Sequence, residues 1–214
     1  MTPDEFRMAS NDRHDGSGTG KEERILRAAV LVFAQHGYHG SSMAQVADEA
    51  GVATGTIYLY FRRKQDLLIT LFQRDLGGYI ERCKPALLDE PVGVPRLRRM
   101  VAMHLEFFTE DRALAGVFQI HAREPDPVLR EGIQPTVAEY FKLITDVVQE
   151  GVDHGDFARD LDVRLARDMF FGALDEVVTR WVHVTTPFSL MSAHDPLATM
   201  LARAFGAPPA GVAT

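Results

Sequence analysis

The residues best suited to chemistry lie close together. From Ser41 the chain reads SSMAQVADEAGVATGTIYLYFRRKQDLL. The hydroxyls of Ser41, Ser42, Tyr58 and Tyr60 and the ammonium of Lys64 suit phosphate oxygens. Thr54, Gly55 and Thr56 suit the edges of bases, because small side chains permit close approach and threonine methyls can meet thymine methyls. The chain has none of the common catalytic patterns: no G-x-S-x-G elbow, no H-E-x-x-H helix and no nucleotide-binding glycine fingerprint. GSGTGK, from Gly16 to Lys21, fails as a phosphate loop. Asp15 stands where the first glycine belongs, and Glu22 follows the lysine in place of Ser or Thr.

Two short helices must carry these groups. Met43, Val46, Ala47 and Ala50 recur at helical spacing, Ser42 is placed to cap that helix, and Gly51 ends it because glycine tolerates a left-handed backbone. Val52 packs back and sets the angle into a second segment, Ala53 to Tyr60. Ile57 and Phe61 fix its inner side and leave Thr54, Gly55, Thr56, Tyr58 and Tyr60 outside. This spacing predicts a helix-turn-helix whose second helix reads DNA. An ordinary helical hairpin would have no use for two outward tyrosines beside Arg62-Arg63-Lys64.

These residues resemble the DNA-binding domain of the TetR family of bacterial transcriptional regulators, on the segments SSMAQVADEAGV, GTIYLYF and KQDLL. Ala53 departs from the serine cap common in that family, and Thr54 from a frequent lysine or arginine. The resemblance implies a repressor that dimerises through a four-helix bundle of its last two helices. KQDLLITLF and LDVRLARDMFFGALDEVVTRWV are further similar to the acyl-CoA-responsive subgroup that represses fatty-acid degradation genes.

Composition agrees with a globular chain: 214 residues, 46% hydrophobic and 25% charged. No apolar run approaches the roughly 20 residues that span a bilayer. The acidic start lacks a signal peptide's apolar stretch, so the expected address is cytoplasmic. A single cysteine, Cys83, excludes an internal disulfide and a multi-cysteine zinc site, and no metal site is expected. The net charge of −7 is uneven. Lys21 to Arg74 holds seven Lys/Arg against five Asp/Glu, a local +2, whereas Asp75 onward holds fourteen against twenty-one, or −7. A small basic end on an acidic body suits phosphate contact at that end.

The rest of the chain shows no two-residue alternation, so the expected fold is all-α. A flexible arm is expected at 1–20, a helix-turn-helix domain at 21–67, a ligand-binding and dimerisation domain at 68–206 and a flexible tail at 207–214. A long helix from Lys64 to about Leu88 links the two domains, with Gly77-Gly78 marking a bend or a close crossing. Met103, His104, Phe107, Phe108, Phe118, Tyr140, Phe141, Ile144, Met169, Phe170 and Trp181 can line an apolar cavity, although such residues commonly just fill a core. Arg123 belongs with Arg82, Lys84, Arg96, Arg98, Arg99 and Arg130 among the cations available to CoA phosphates. The expected partners are an operator, an effector in the form of a long-chain acyl-CoA and a second copy of the chain. Two alternatives remain: a repressor of an efflux pump responding to a drug or hydrophobic metabolite, and an all-α acyl-CoA carrier or enzyme.

Overall fold

The computed structural model describes residues 18–121, 123, 125–184 and 188–208, and these residues contain helices and no strand. Most of the expected arm and tail therefore lies outside the described residues, as do Gly16 and Ser17 of the Gly16 to Lys21 glycine stretch. Helix α1 (Gly18–Gly40) breaks at Gly37, whose φ of 70° and ψ of 158° are not helical. It is followed by α2 (Met43–Ala50) and α3 (Thr54–Tyr60). The Ser42 hydroxyl accepts from the Gln45 N–H and caps α2. Gly51 closes it in the left-handed region at φ 63°, with its N–H turned back to the Ala47 and Asp48 carbonyls. Ile25, Leu26, Phe33, Val46, Ile57 and Leu68, all nearly inaccessible, form the core these helices share.

The linking helix is not uniform. It comprises α4 (Lys64–Leu71), a π turn (Phe72–Leu76) and α5 (Gly77–Leu88). The irregularity thus falls just ahead of Gly77-Gly78. A Cβ at Gly77 would meet nothing within 4 Å, and one at Gly78 only the tip of Arg82 at 3.7 Å, so neither glycine marks a close crossing. The close crossing is elsewhere, at Gly132. A Cβ there would lie 2.5 Å from Cδ1 of Ile69.

Helix α6 (Val94–Glu110) carries Pro95 in its first turn and runs through the interior, and α7 (Arg112–His121) returns toward α1. Helix α8 (Pro127–His154) is capped by the Asp126 carboxylate and crosses both α4 and the π turn. Helix α9 (Val163–His183) lies on α7 and α8, and α10 (His194–Ala204) lies on α6. Buried apolar side chains form one continuous cluster from α1 to α10, so displacement in the body has packed side chains through which to reach the first three helices.

Candidate functional site

On the helix-turn-helix face, α3 buries Ile57 and follows it with the buried Phe61, while Thr54, Gly55 and Tyr58 stay exposed and Thr56 and Tyr60 are half-buried. Ala53, at the N-cap of α3, supplies no side-chain hydrogen bond. No Cβ clash would arise at Gly55, so the α3 surface is open there. Ser42 faces outward, but Ser41 is only 6% exposed. The Ser41 hydroxyl donates to the Tyr38 carbonyl at 2.7 Å, which turns it into the domain and away from any phosphate. Leu59 was not among the expected contacts, yet it is 82% exposed beside Tyr58. Its place between the buried Ile57 and Phe61, next to Tyr58, is a signal the sequence already contained.

The basic triplet divides into three roles. Arg63 donates to Asp66, its partner in the first turn of α4. Lys64, expected on a phosphate, directs Nζ at the Tyr38 and Ser41 carbonyls, 2.6 and 2.7 Å away, and stands 4.5 Å from the centroid of the Tyr38 ring. Two of its three N–H groups are therefore committed inside the domain, and desolvation lowers its pKa. Arg62, exposed, makes no ion pair among the described residues, which leaves its guanidinium available to a phosphate.

Two chambers with lining residues in common occupy the body. The outer one, about 440 Å³, is lined by His121, Arg123, Pro125, Arg130, Ile133, Gln134, Val137, Phe141 and Phe171. The inner one shares Val137 and Phe171 and adds Phe72, Leu76, Tyr79, His104, Phe107, Phe108, Phe118, Gln119, Tyr140 and Asp175. Its open volume is about 40 Å³, little more than one water occupies. Aromatic rings fill the remainder: Phe72 stacks on Phe118 at 4.3 Å and Tyr79 on Phe107 at 4.7 Å between centroids. Since Phe72 and Leu76 belong to the π turn, the inner chamber opens directly onto the linking helix.

Of the residues expected around a ligand, His104, Phe107, Phe108, Phe118, Arg123, Tyr140 and Phe141 line one chamber or the other. Five do not. Met103, Ile144 and Phe170 are buried in the surrounding core, and Met169 is 46% exposed on the outside of α9. Trp181 is tied by its indole N–H to the Phe188 carbonyl at 3.1 Å. Helical geometry explains the exchange, because neighbours on a helix point about 100° apart: Phe171 faces the cavity, and Phe170 beside it does not. Sequence reasoning misses Tyr79, Phe72 and Leu76 because a linking helix reads as a connector rather than a wall, and Asp175 because a lone carboxylate on α9 reads as a solvated face.

The charges are sorted as clearly. Lys84 pairs with Glu81 and Glu139, Arg96 with Glu150, Arg98 with Asp195 and Arg99 with Glu106. Arg82 lines a separate surface pocket with Glu23, Arg74 and Asp75. Arg123 and Arg130 alone of the expected cations border the outer chamber. Arg123 lies 5.3 Å from the centroid of the Phe171 ring and 2.9 Å from Asp175.

In the wall of the inner chamber Nδ1 of His104 and the Tyr140 hydroxyl are 2.6 Å apart. Burial pushes the His104 pKa down to about 3 and raises those of Tyr79 and Tyr140, so all three are neutral at physiological pH. No group of three or more His, Cys, Asp or Glu among the described residues is arranged to hold a metal, and none of the helices is long and apolar enough to cross a membrane.

Comparison with known proteins adds the following. Residues 25–71 match the family model for bacterial regulatory proteins of the tetR family, and residues 72–204 that for the C-terminal region of YsiA-like protein. A fatty acid metabolism regulator protein of Bacillus subtilis (strain 168) is 38% identical over 172 residues, spanning 80% of this chain and 89% of that protein. The fatty acid degradation regulator FadR from Bacillus halodurans superposes with a TM-score of 0.82 at 36% identity, covering 92% of this chain and 100% of that one. The transcriptional regulator FadR from Bacillus subtilis, solved in complex with stearoyl-CoA, gives 0.79 at 36% identity and covers 84% and 97%.

Proposed function

Since this chain belongs to the TetR family of bacterial regulatory proteins, we propose that it is a cytoplasmic, dimeric repressor of fatty-acid degradation genes, released from its operator by long-chain acyl-CoA. One observation carries the effector reading: an apolar inner chamber walled by the linking helix and sharing Val137 and Phe171 with an outer chamber bordered by Arg123 and Arg130. A thioester of CoA has matching parts, a hydrocarbon chain for the aromatic interior and phosphates for guanidinium groups. The stearoyl-CoA complex of the Bacillus subtilis relative supports the same assignment. The efflux-pump alternative calls for a broad cavity without a cationic mouth, and the narrow inner chamber favours the chain.

On the DNA side, Ser42, Tyr58 and Arg62 would hold phosphates, while Thr54, Gly55, Thr56 and Leu59 approach base edges. Lys64 and Tyr60 would fix the reading helix from behind. Each copy supplies one such helix, and dimer symmetry sets them about one turn of DNA, roughly 34 Å, apart. The dimer surface is assigned to the outer faces of α9 and α10, where Leu165 is 61%, Met169 46% and Met200 65% exposed.

Release follows from volume. An acyl chain does not fit in about 40 Å³, so it must push aside the Phe72 and Phe118 stack, and Phe72 sits in the helix that begins at Lys64. Effector and operator thus compete through one helix, and by linkage each weakens the other's binding by the same factor. Mobility shift of DNA upstream of the protein's own gene, titrated with stearoyl-CoA and with stearic acid, tests the reading. Release by the thioester alone supports it; a shift that neither compound disturbs overturns the effector assignment.

A further inference from the structure

Among the described residues, two buried side-chain polar atoms lack a hydrogen-bond partner: Nε2 of His104 and the hydroxyl of Tyr79. Both residues line the inner chamber. A buried polar group left unpaired is costly, so such a group facing a cavity marks a place for a missing partner. Three other polar groups lining this chamber have partners. Gln119 accepts from the Thr179 hydroxyl at 2.8 Å, Asp175 from Arg123 at 2.9 Å, and Tyr140 is bonded to His104. The Tyr79 hydroxyl lies near Cys83 and Tyr140, but neither contact has hydrogen-bond geometry.

The proton positions follow from what each atom can do. An imidazole nitrogen accepts better than a phenol oxygen, so Tyr140 donates to Nδ1, and neutral His104 then carries its proton on Nε2. The reverse arrangement would strand the Tyr140 proton as well. The two orphans are therefore both donors, an N–H and an O–H, on rings that flank Tyr140 at 5.9 and 5.7 Å.

We propose that His104 Nε2–H and Tyr79 O–H donate to the thioester carbonyl oxygen of the effector, one proton for each of its lone pairs. This inference rests on the acyl-CoA reading above and adds the atoms that recognise the acyl group. Position favours the carbonyl. The inner chamber meets the outer one at Val137 and Phe171, and Phe72, Leu76 and Phe118 offer the chain no polar atom. The thioester is the one point where an acyl-CoA changes from polar to hydrocarbon, and it carries the oxygen these donors need. A saturated chain in the same place would leave both unpaired.

Titration calorimetry on the full chain with stearoyl-CoA and with S-octadecyl-CoA, the thioether that lacks the carbonyl, tests this. The wild type is expected to bind the thioester about tenfold or more tightly than the thioether. Tyr79→Phe, which removes one oxygen only, and His104→Leu are each expected to shrink that ratio about threefold or more while changing the affinity for the thioether little. Equal binding of both compounds by the wild type, or an undiminished ratio in Tyr79→Phe, overturns the proposal and leaves the acyl-CoA reading standing. Failure of both compounds to bind the wild type removes the two together.

Discussion

Lys64 and Tyr38 grip each other twice: the lysine ammonium donates to the tyrosine carbonyl at 2.6 Å and stands 4.5 Å from the centroid of its ring. The first residue of α4 is thereby fastened to the end of α1, across the reading helix. Tyr38 in turn places its ring 5.6 Å from that of His121, which borders the outer chamber.

Lys64→Met should therefore act on the fold of the reading unit. Losing two charge-assisted hydrogen bonds is expected to cost about 1–3 kcal/mol of stability. Operator affinity should fall by a similar factor at every salt concentration, with the slope of log affinity against log salt unchanged. A slope reduced by about 0.9 for each half-site would instead make Lys64 a phosphate ligand.

Arg62→Ala should show the opposite pattern. Its exposed side chain contributes little to folding, so thermal stability should move by no more than about 0.5 kcal/mol. The salt slope of operator binding should drop by about 0.9 for each half-site, since each copy then neutralises one phosphate fewer. An unchanged slope would exclude Arg62 from the phosphates.

Gly132→Ala tests the crossing of α8 and α4. Three Ile69 carbons would lie 2.5, 2.7 and 3.0 Å from the new Cβ, so no single rotation of Ile69 clears it. Overpacking of about 1–3 kcal/mol should outweigh the roughly 1 kcal/mol that alanine gains over glycine in a helix. Net destabilisation in chemical denaturation is the expected result, and Ile69→Ala should relieve it in the double variant. Additive effects of the two substitutions would refute the contact.

His104 gives the protein an acid sensitivity of known sign. Its folded pKa of about 3 lies below the usual 6.5, so between these values the unfolded chain takes a proton that the folded chain refuses. Stability attributable to His104 is complete above pH 6.5 and is lost progressively as pH falls toward 3. From about pH 7 to pH 5 the loss should be about 2 kcal/mol. His104→Phe should remove that share of the pH dependence; an identical slope in the variant would contradict a neutral buried imidazole.

Much of this was legible in the sequence because local rules and tertiary packing agreed. Ser42, Gly51 and Ile57 announce the helix-turn-helix by capping, left-handed backbone and burial, and each does that in the structure. The cavity was only partly legible. Helical spacing finds which residues are buried but not whether they face a void, so Phe170 and Ile144 looked as suitable as Phe171. The cations were less legible still, because the acidic partners of Arg96, Arg98 and Lys84 come from distant segments. Lys64 is similar: its carbonyl partners lie 26 and 23 residues earlier, beyond the reach of any local pattern.

The π turn at Phe72–Leu76 sets the rotational phase of the molecule. Each residue of a helix advances the face by about 100°, and a wide turn absorbs one residue without that advance. The linking helix can therefore aim Leu67, Leu68 and Leu71 at one set of neighbours and Tyr79, Ile80 and Cys83 at another, with both sets buried. Deleting one residue between Phe72 and Leu76 would tighten the turn into ordinary helix and leave the rest of the apolar pattern in place. A deletion in the regular turns of α5 has no such slack, and would swing one end of the protein by more than a quarter turn against the other. The two ends would then be out of step, a mechanical frameshift in a chain whose composition had barely changed.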